Sequence, residues 1–221
     1  MVGVLENRKR VFWEALLLTV VVFFFGVLIG VAFESAKVSE INNYYVMSEI
    51  SLMEVFVLNS MIDSNFTECS VLEDSNLKFA DRVYNEAVLL EKYESSGKIT
   101  ENIRLAHKKY DILRTFLWIN SMKTLDKCGN KYTNVVYLYE YFPEDLTQKA
   151  KQNVWSKILY DLKVSKGSQI LLIPIAVDNN LVSLNSILER FNVTDYPVVI
   201  VNEKHLIYDL NSVKNFDQYF K

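Results

Sequence analysis

Two cysteines, Cys69 and Cys128, and two histidines, His107 and His205, bound the chemistry open to this chain. Thiolates serve as nucleophiles and redox couples, and imidazoles as metal ligands and proton carriers. The cysteines lie far apart and lack the Cys-x-x-Cys spacing that tunes a redox-active pair. Two cysteines and two histidines so dispersed do not make a zinc site, so no metal is expected. His107 stands beside Lys108 and Lys109 and reads as part of a solvated helix face. His205 opens a short apolar run and reads as a strand-edge residue. Glu144 and Asp145 adjoin at a helix start, where they suit the helix dipole better than an acid/base pair. No Gly-rich phosphate loop and no Ser-His-Asp arrangement is visible. The sequence therefore assigns no catalytic residue and no cofactor, and it points away from an enzyme.

The elements that hold these residues follow from patterning. The 221 residues are half hydrophobic and 13% aromatic, which suits a packed core. Six glycines and three prolines leave little room for long flexible linkers. A net charge of −3 gives no footprint for nucleic acid.

Ala15 to Phe33 is uncharged and almost wholly apolar, long enough to cross a hydrocarbon core of about 30 Å. A cleaved signal has a shorter apolar core and a small-x-small site; Val31 to Lys37 is a poor one, so a retained anchor is expected. Arg8, Lys9 and Arg10 precede the span, and Lys37 is the one basic residue between it and Lys78. The positive-inside bias places residues 1–10 in the cytoplasm, 11–34 in the bilayer and the rest outside. Gly26 and Gly30 form a GxxxG motif, which lets two helix backbones approach closely; glycine is also common in membrane helices generally.

Residues 35–130 read as three helices. The first continues the anchor to about Ile62, with Val38, Ile41, Tyr45, Leu52, Val55 and Ile62 in a stripe. The second covers about Leu77 to Ser95, with Phe79, Val83, Ala87 and Leu90 on one face, before a turn at Ser95-Ser-Gly97. The third starts at Thr100 and stops at Cys128-Gly129-Asn130. Short connections predict an antiparallel helical bundle. Cys69 falls in the loop between the first two helices and Cys128 at the end of the third. Up-down-up packing sets both at one level, where a structural disulfide can close. Asn65-Phe-Thr67 and Asn192-Val-Thr194 fit the N-glycosylation pattern.

Residues 131–221 switch to alternating strands and helices. Strands are expected at 135–142, 169–177, 198–202 and 205–209, and helices at 143–164, 178–191 and 212–220. This order resembles the thioredoxin fold. The likeness is sharpest from Ile175-Ala-Val-Asp178 through the helix to Phe191-Asn-Val-Thr-Asp-Tyr-Pro-Val-Val-Ile-Val-Asn202. There Pro197 matches the family's cis-proline, and the likeness covers about two-fifths of the chain. The chain departs from the family at the slot after the first strand, where Phe142-Pro-Glu-Asp-Leu-Thr147 replaces Cys-x-x-Cys. Without a thiolate there the domain is expected to be redox-inactive. In the family a shallow apolar groove beside the cis-proline binds extended peptides; the resemblance puts Phe142, Pro143, Tyr196 and Pro197 along it. Alternatively, Tyr196 and Pro197 only shape the fold.

The expected molecule is an α/β thioredoxin-like domain preceded by a transmembrane helix and an α-helical bundle region. It is held at the cell membrane with its C-terminal domain extracytosolic, to bind a protein partner or serve envelope assembly. Two other readings stand beside it. One is a thiol-disulfide oxidoreductase working through Cys69 and Cys128; the other is an accessory subunit of a larger membrane complex.

Overall fold

Val135-Val136-Tyr137-Leu138 is apolar at every position, the pattern of a strand covered on both faces. In the computed structural model all four are buried, and they lie in the middle of a sheet. The structure describes residues 3–63, 68–94, 101–129, 131–210 and 219. The elements in order are α1 (Gly3–Asp63), α2 (Cys69–Glu94), α3 (Glu101–Cys128), β1 (Thr133–Tyr139), α4 (Leu146–Lys166), β2 (Ile170–Ala176), α5 (Val182–Arg190), β3 (Val198–Val201) and β4 (His205–Ile207). Two compact units result, Met1–Glu49 and Ile50–Lys221.

In the first unit, Arg10–Phe33 is 24 residues long with a mean hydropathy of 2.9, and it has no buried residue. By length and composition this helix can cross a membrane. Arg10 pairs with Glu14 at 3.1 Å where the apolar stretch begins. The Thr19 hydroxyl donates to the Ala15 carbonyl at 2.8 Å, which keeps a polar group satisfied in an apolar setting. A Cβ added at Gly26 or Gly30 would meet nothing within 4 Å.

The second unit is a four-stranded sheet in the order β2-β1-β3-β4. β1 and β2 are parallel, with Val135 opposite Leu172; β3 runs antiparallel to β1, with Leu138 opposite Val198; β4 runs antiparallel to β3. On one face Trp155 and Leu159 of α4 pack against Val135, Tyr137, Ile170, Val199 and Val201. On the other, α3 packs against β1 and β2 and touches α5, while α2 pairs with α3. Leu72, Phe79 and Val83 of α2 and Tyr110, Leu113, Leu117 and Trp118 of α3 are buried. Pro174 sits within β2, opposite Tyr137. A proline cannot donate to a ladder, and β2 tolerates it as an edge strand.

Several sequence expectations shift. α3 serves as a layer on the sheet, in contact with β1, β2 and α5. α2 begins at Cys69, eight residues before the expected start, because Leu72 and Asn76 face α3 on the same stripe as Phe79 and Val83. Helix α4 starts at Leu146, with the Asp145 carboxylate accepting from the Thr147 amide at 2.9 Å; Pro143 lies before this cap rather than in the first turn. Helix α5 starts at Val182, since Asp178 and Asn179 use their side chains elsewhere. The Asn65 sequon, the Ser95–Gly97 turn and most of the last expected helix lie outside the described residues. So do the side chains of the stripe Val38, Ile41, Tyr45, Leu52, Val55 and Ile62.

A disulfide joins Cys69 and Cys128, with their Cα atoms 5.4 Å apart. It ties the start of α2 to the end of α3, where Lys131 and Glu73 also meet at 3.3 Å.

Candidate functional site

The antiparallel register of β1 and β3 decides which loops meet. Leu138 faces Val198, so continuing outward sets Tyr196 across from Glu140 and Pro197 across from Tyr139. The Tyr196–Pro197 bond is cis, and Pro197 is buried. Burial raises the Tyr196 phenol above its ordinary pKa, with the nearby Glu140 carboxylate and Tyr208 adding to the effect. The loop after β1 and the loop before β3 therefore share one end of the sheet.

The loop after β1 is held by a carboxylate from the other parallel strand's exit. The Tyr141 amide donates to Asp178 Oδ1 at 2.8 Å and the Phe142 amide to Asp178 Oδ2 at 2.9 Å. Gln152 closes the loop from α4, accepting from the Glu140 amide and donating to the Glu140 carbonyl, both at 2.9 Å. Phe142 remains 43% exposed, with the Arg104 guanidinium 5.1 Å from its ring centre. Tyr141 packs edge-on to Phe142 at 4.2 Å and lies 3.8 Å from His107. His107 is thus drawn half out of water against Tyr141, unlike the solvated position its lysine neighbours suggested.

Beneath this loop lies Asp111 of α3, fully buried. It accepts from the Ala176 amide at 3.0 Å and from the Asn179 side chain, and it meets Arg114 at 3.6 Å. Burial pushes its carboxyl above the usual range, against the opposing pull of Arg114 and the two hydrogen bonds. One short segment, 176–179, is therefore pinned to α3 by Asp111 and pins the 141–142 loop through Asp178.

A third polar cluster holds the β3–β4 turn. Asn202 and Glu203 have φ of 47° and 56°, and the Lys204 amide bonds to the Val201 carbonyl at 3.1 Å. A left-handed glutamate is costly, and its carboxylate is fixed by Trp118 Nε1 at 3.1 Å and Asn134 Nδ2 at 2.9 Å. Burial raises the Glu203 carboxyl, while both hydrogen bonds work to lower it.

The expected site residues are therefore distributed as follows. Tyr196 and Pro197 stand beside the loop that carries Phe142 and Pro143, while Cys69 and Cys128 lie at the other end of β1. The disulfide precedes the strand and the loop follows it, a separation of about 20 Å for a seven-residue strand. Asn192 is exposed in the turn after α5, with φ of 51°. It borders an open depression of about 620 Å³ lined by Asn185, Leu188, Glu189, Thr194 and Tyr196, among others. Among the described residues no group of three or more His, Cys, Asp or Glu side chains is placed to hold a metal ion.

Sequence reasoning missed Asp111, Gln152 and the role of Asp178. Asp111 and Arg114 had a visible signal, two opposite charges one helical turn apart inside the apolar stripe of Tyr110, Leu113 and Leu117. Comparison with known proteins finds no matching family model, no matching curated relative and no matching solved structure.

Proposed function

We propose that this chain is a single-pass membrane protein presenting a redox-inactive thioredoxin-like domain outside the cytoplasm, where that domain binds a protein partner. The observation that carries the reading is the sheet. Its order β2-β1-β3-β4, with a parallel central pair and an antiparallel hairpin, is the arrangement the resemblance implies. Helices cover both faces, and the cis bond falls before β3, at the family's position.

Inactivity rests on two features. No cysteine follows Cys128, so the loop after β1 has no thiolate to attack a disulfide. The amides at that loop are already satisfied by Asp178. What remains is a surface with an exposed Phe142 and a half-buried Tyr196, suited to an extended peptide laid across the two loops. The extracytosolic placement is supported by the flanking charges of the apolar helix and by a disulfide, which persists in oxidising compartments.

The test is site-specific photocrosslinking from Phe142 and Tyr196 in native membranes. The reading expects one reproducible protein adduct shared by both positions and absent from a probe at exposed Tyr160 on α4. Equal labelling from all three positions would sink it. Turnover of a disulfide substrate by the purified chain, lost in Cys69→Ser, would instead establish the oxidoreductase reading.

A further inference from the structure

Beyond its apolar span, α1 carries a second row of apolar side chains: Ile50 is 53% exposed, Met53 65%, Val57 55% and Met61 38%. Spacings of three, four and four residues set them on one face of the helix. Exposed apolar residues scattered singly need no explanation, but a contiguous row of this kind on a helix does. We propose that this row pairs with the same row of a second copy of the chain, as a parallel two-stranded coiled coil.

Three arguments select that occupant. The first is register: in a heptad frame Ile50 and Val57 fall at a and Met53 at d, and β-branched residues at a favour two strands. The second is orientation, which rests on reading Arg10–Phe33 as the anchor. Two copies anchored in one membrane by the same segment carry their rows at the same sequence distance from it and on the same side, which favours parallel, in-register pairing of each residue with its own counterpart. The third is area. The row, with Phe56 at its margin, makes a patch of a few hundred Å², and two such patches approach the roughly 1,000 Å² that marks a specific interface. A seam this short is marginal between free molecules; confinement to one bilayer raises the effective concentration enough to populate it.

The flanks oppose pairing to a limited extent. In that frame Glu49 at g faces Glu54 at e of the other copy, a like-charge contact exposed to solvent, weakened by salt and offset at Glu54 by the nearby Lys78 of α2.

The experiment uses the full chain in lipid nanodiscs or native membranes. The described residues hold no free cysteine, so a substitution adds one free thiol to a background whose two cysteines are joined. Single cysteines are placed at positions 49–57 and oxidised with copper phenanthroline. Disulfide-linked dimer is expected to peak at Ile50→Cys, Met53→Cys and Val57→Cys, roughly fivefold or more above Leu52→Cys and Val55→Cys, which lie across the helix by its period. Peaks at 52 and 55, a flat profile, a link to a different protein or no dimer would each overturn the proposal. Ile50→Glu with Val57→Glu is then expected to cut non-covalent dimer at least about tenfold. Formation of the Cys69–Cys128 bond in that variant verifies that the body is folded. Undiminished dimer in a folded double variant would also overturn it.

Discussion

Replacing Asp111 tests whether the loop after β1 is supported from below. Asp111→Ala strands two buried donors, the Ala176 amide and the Asn179 side chain, and leaves Arg114, 6% exposed, without its carboxylate. A stranded buried donor costs about 1–3 kcal/mol, and breaking a buried ion pair about 3–5 kcal/mol. These groups form one network, so the losses overlap, and about 4 kcal/mol is expected for the whole. Asp111→Asn keeps one acceptor but turns an NH2 toward the second donor and leaves Arg114 without a carboxylate, so a smaller loss of about 2–3 kcal/mol is expected. The pH dependence follows from the raised carboxyl. Between the unfolded and folded values the folded state binds more protons, so its stability falls as pH rises. The contribution is complete below the unfolded value near 3.8 and is lost as pH climbs through the folded one. Asp111→Asn lacks this window, so its cost is largest at the acid end and shrinks toward neutrality. Urea unfolding of the detergent-solubilised chain is the assay, followed by the fluorescence of Trp118, which is fully buried and stacked 5.5 Å from Phe191. An Asn variant as damaged as the Ala variant, or a difference flat with pH, would refute the reasoning.

Other perturbations follow from neighbouring features. Cys69→Ser with Cys128→Ser opens a loop of sequence separation 59, and loop-closure entropy gives a loss of about 4 kcal/mol by the same urea assay. Asp178→Ala frees the Tyr141 and Phe142 amides near solvent; their hydrogen exchange should quicken about tenfold or more, with stability falling by only about 1 kcal/mol. The Tyr132 phenol, pushed up to about 12 by burial, accepts a hydrogen bond from Asn76 at 3.1 Å. Its raised value gives stability that is complete below pH 10 and is lost as pH rises through 12, on the order of 2–3 kcal/mol. Alkaline unfolding of Tyr132→Phe should lack that component.

The strands were legible because their apolar runs are short, β-branched and bounded by turns, as in Val198-Val-Ile-Val201. The end of α3 at Cys128 and its apolar stripe were equally plain, and the placing of Cys69 and Cys128 at one level made their disulfide possible, which the structure contains. The start of α2 was not, because Asn76 interrupts the apolar pattern; it is buried as a donor to Thr124 and Tyr132, at 3.0 and 3.1 Å. Polar partners of that kind come from 48 and 56 residues away, and local periodicity cannot announce them. The same holds for Asp178. Beside Asn179 and Asn180 it looked like a helix opener, yet its partners lie 36 and 37 residues back along the chain. In the candidate site, residue types placed Tyr196 and Pro197 at the mouth of a strand, and the register with β1, continued outward, sets them across from Glu140 and Tyr139 respectively.

Pro174 has a bearing on what this sheet can recruit. The ladder between β1 and β2 passes through it unbroken, so the donor it lacks is missing from the outer margin of β2. A seven-residue run of Ile-Leu-Leu-Ile-Pro-Ile-Ala would otherwise be a template for any extended chain. One ring closes that margin to strand-by-strand growth and leaves backbone recruitment to the opposite border, where β4 is only three residues long. Strand addition at β2 is thereby disfavoured, and the loop end of the sheet meets its surroundings through side chains such as the exposed Phe142.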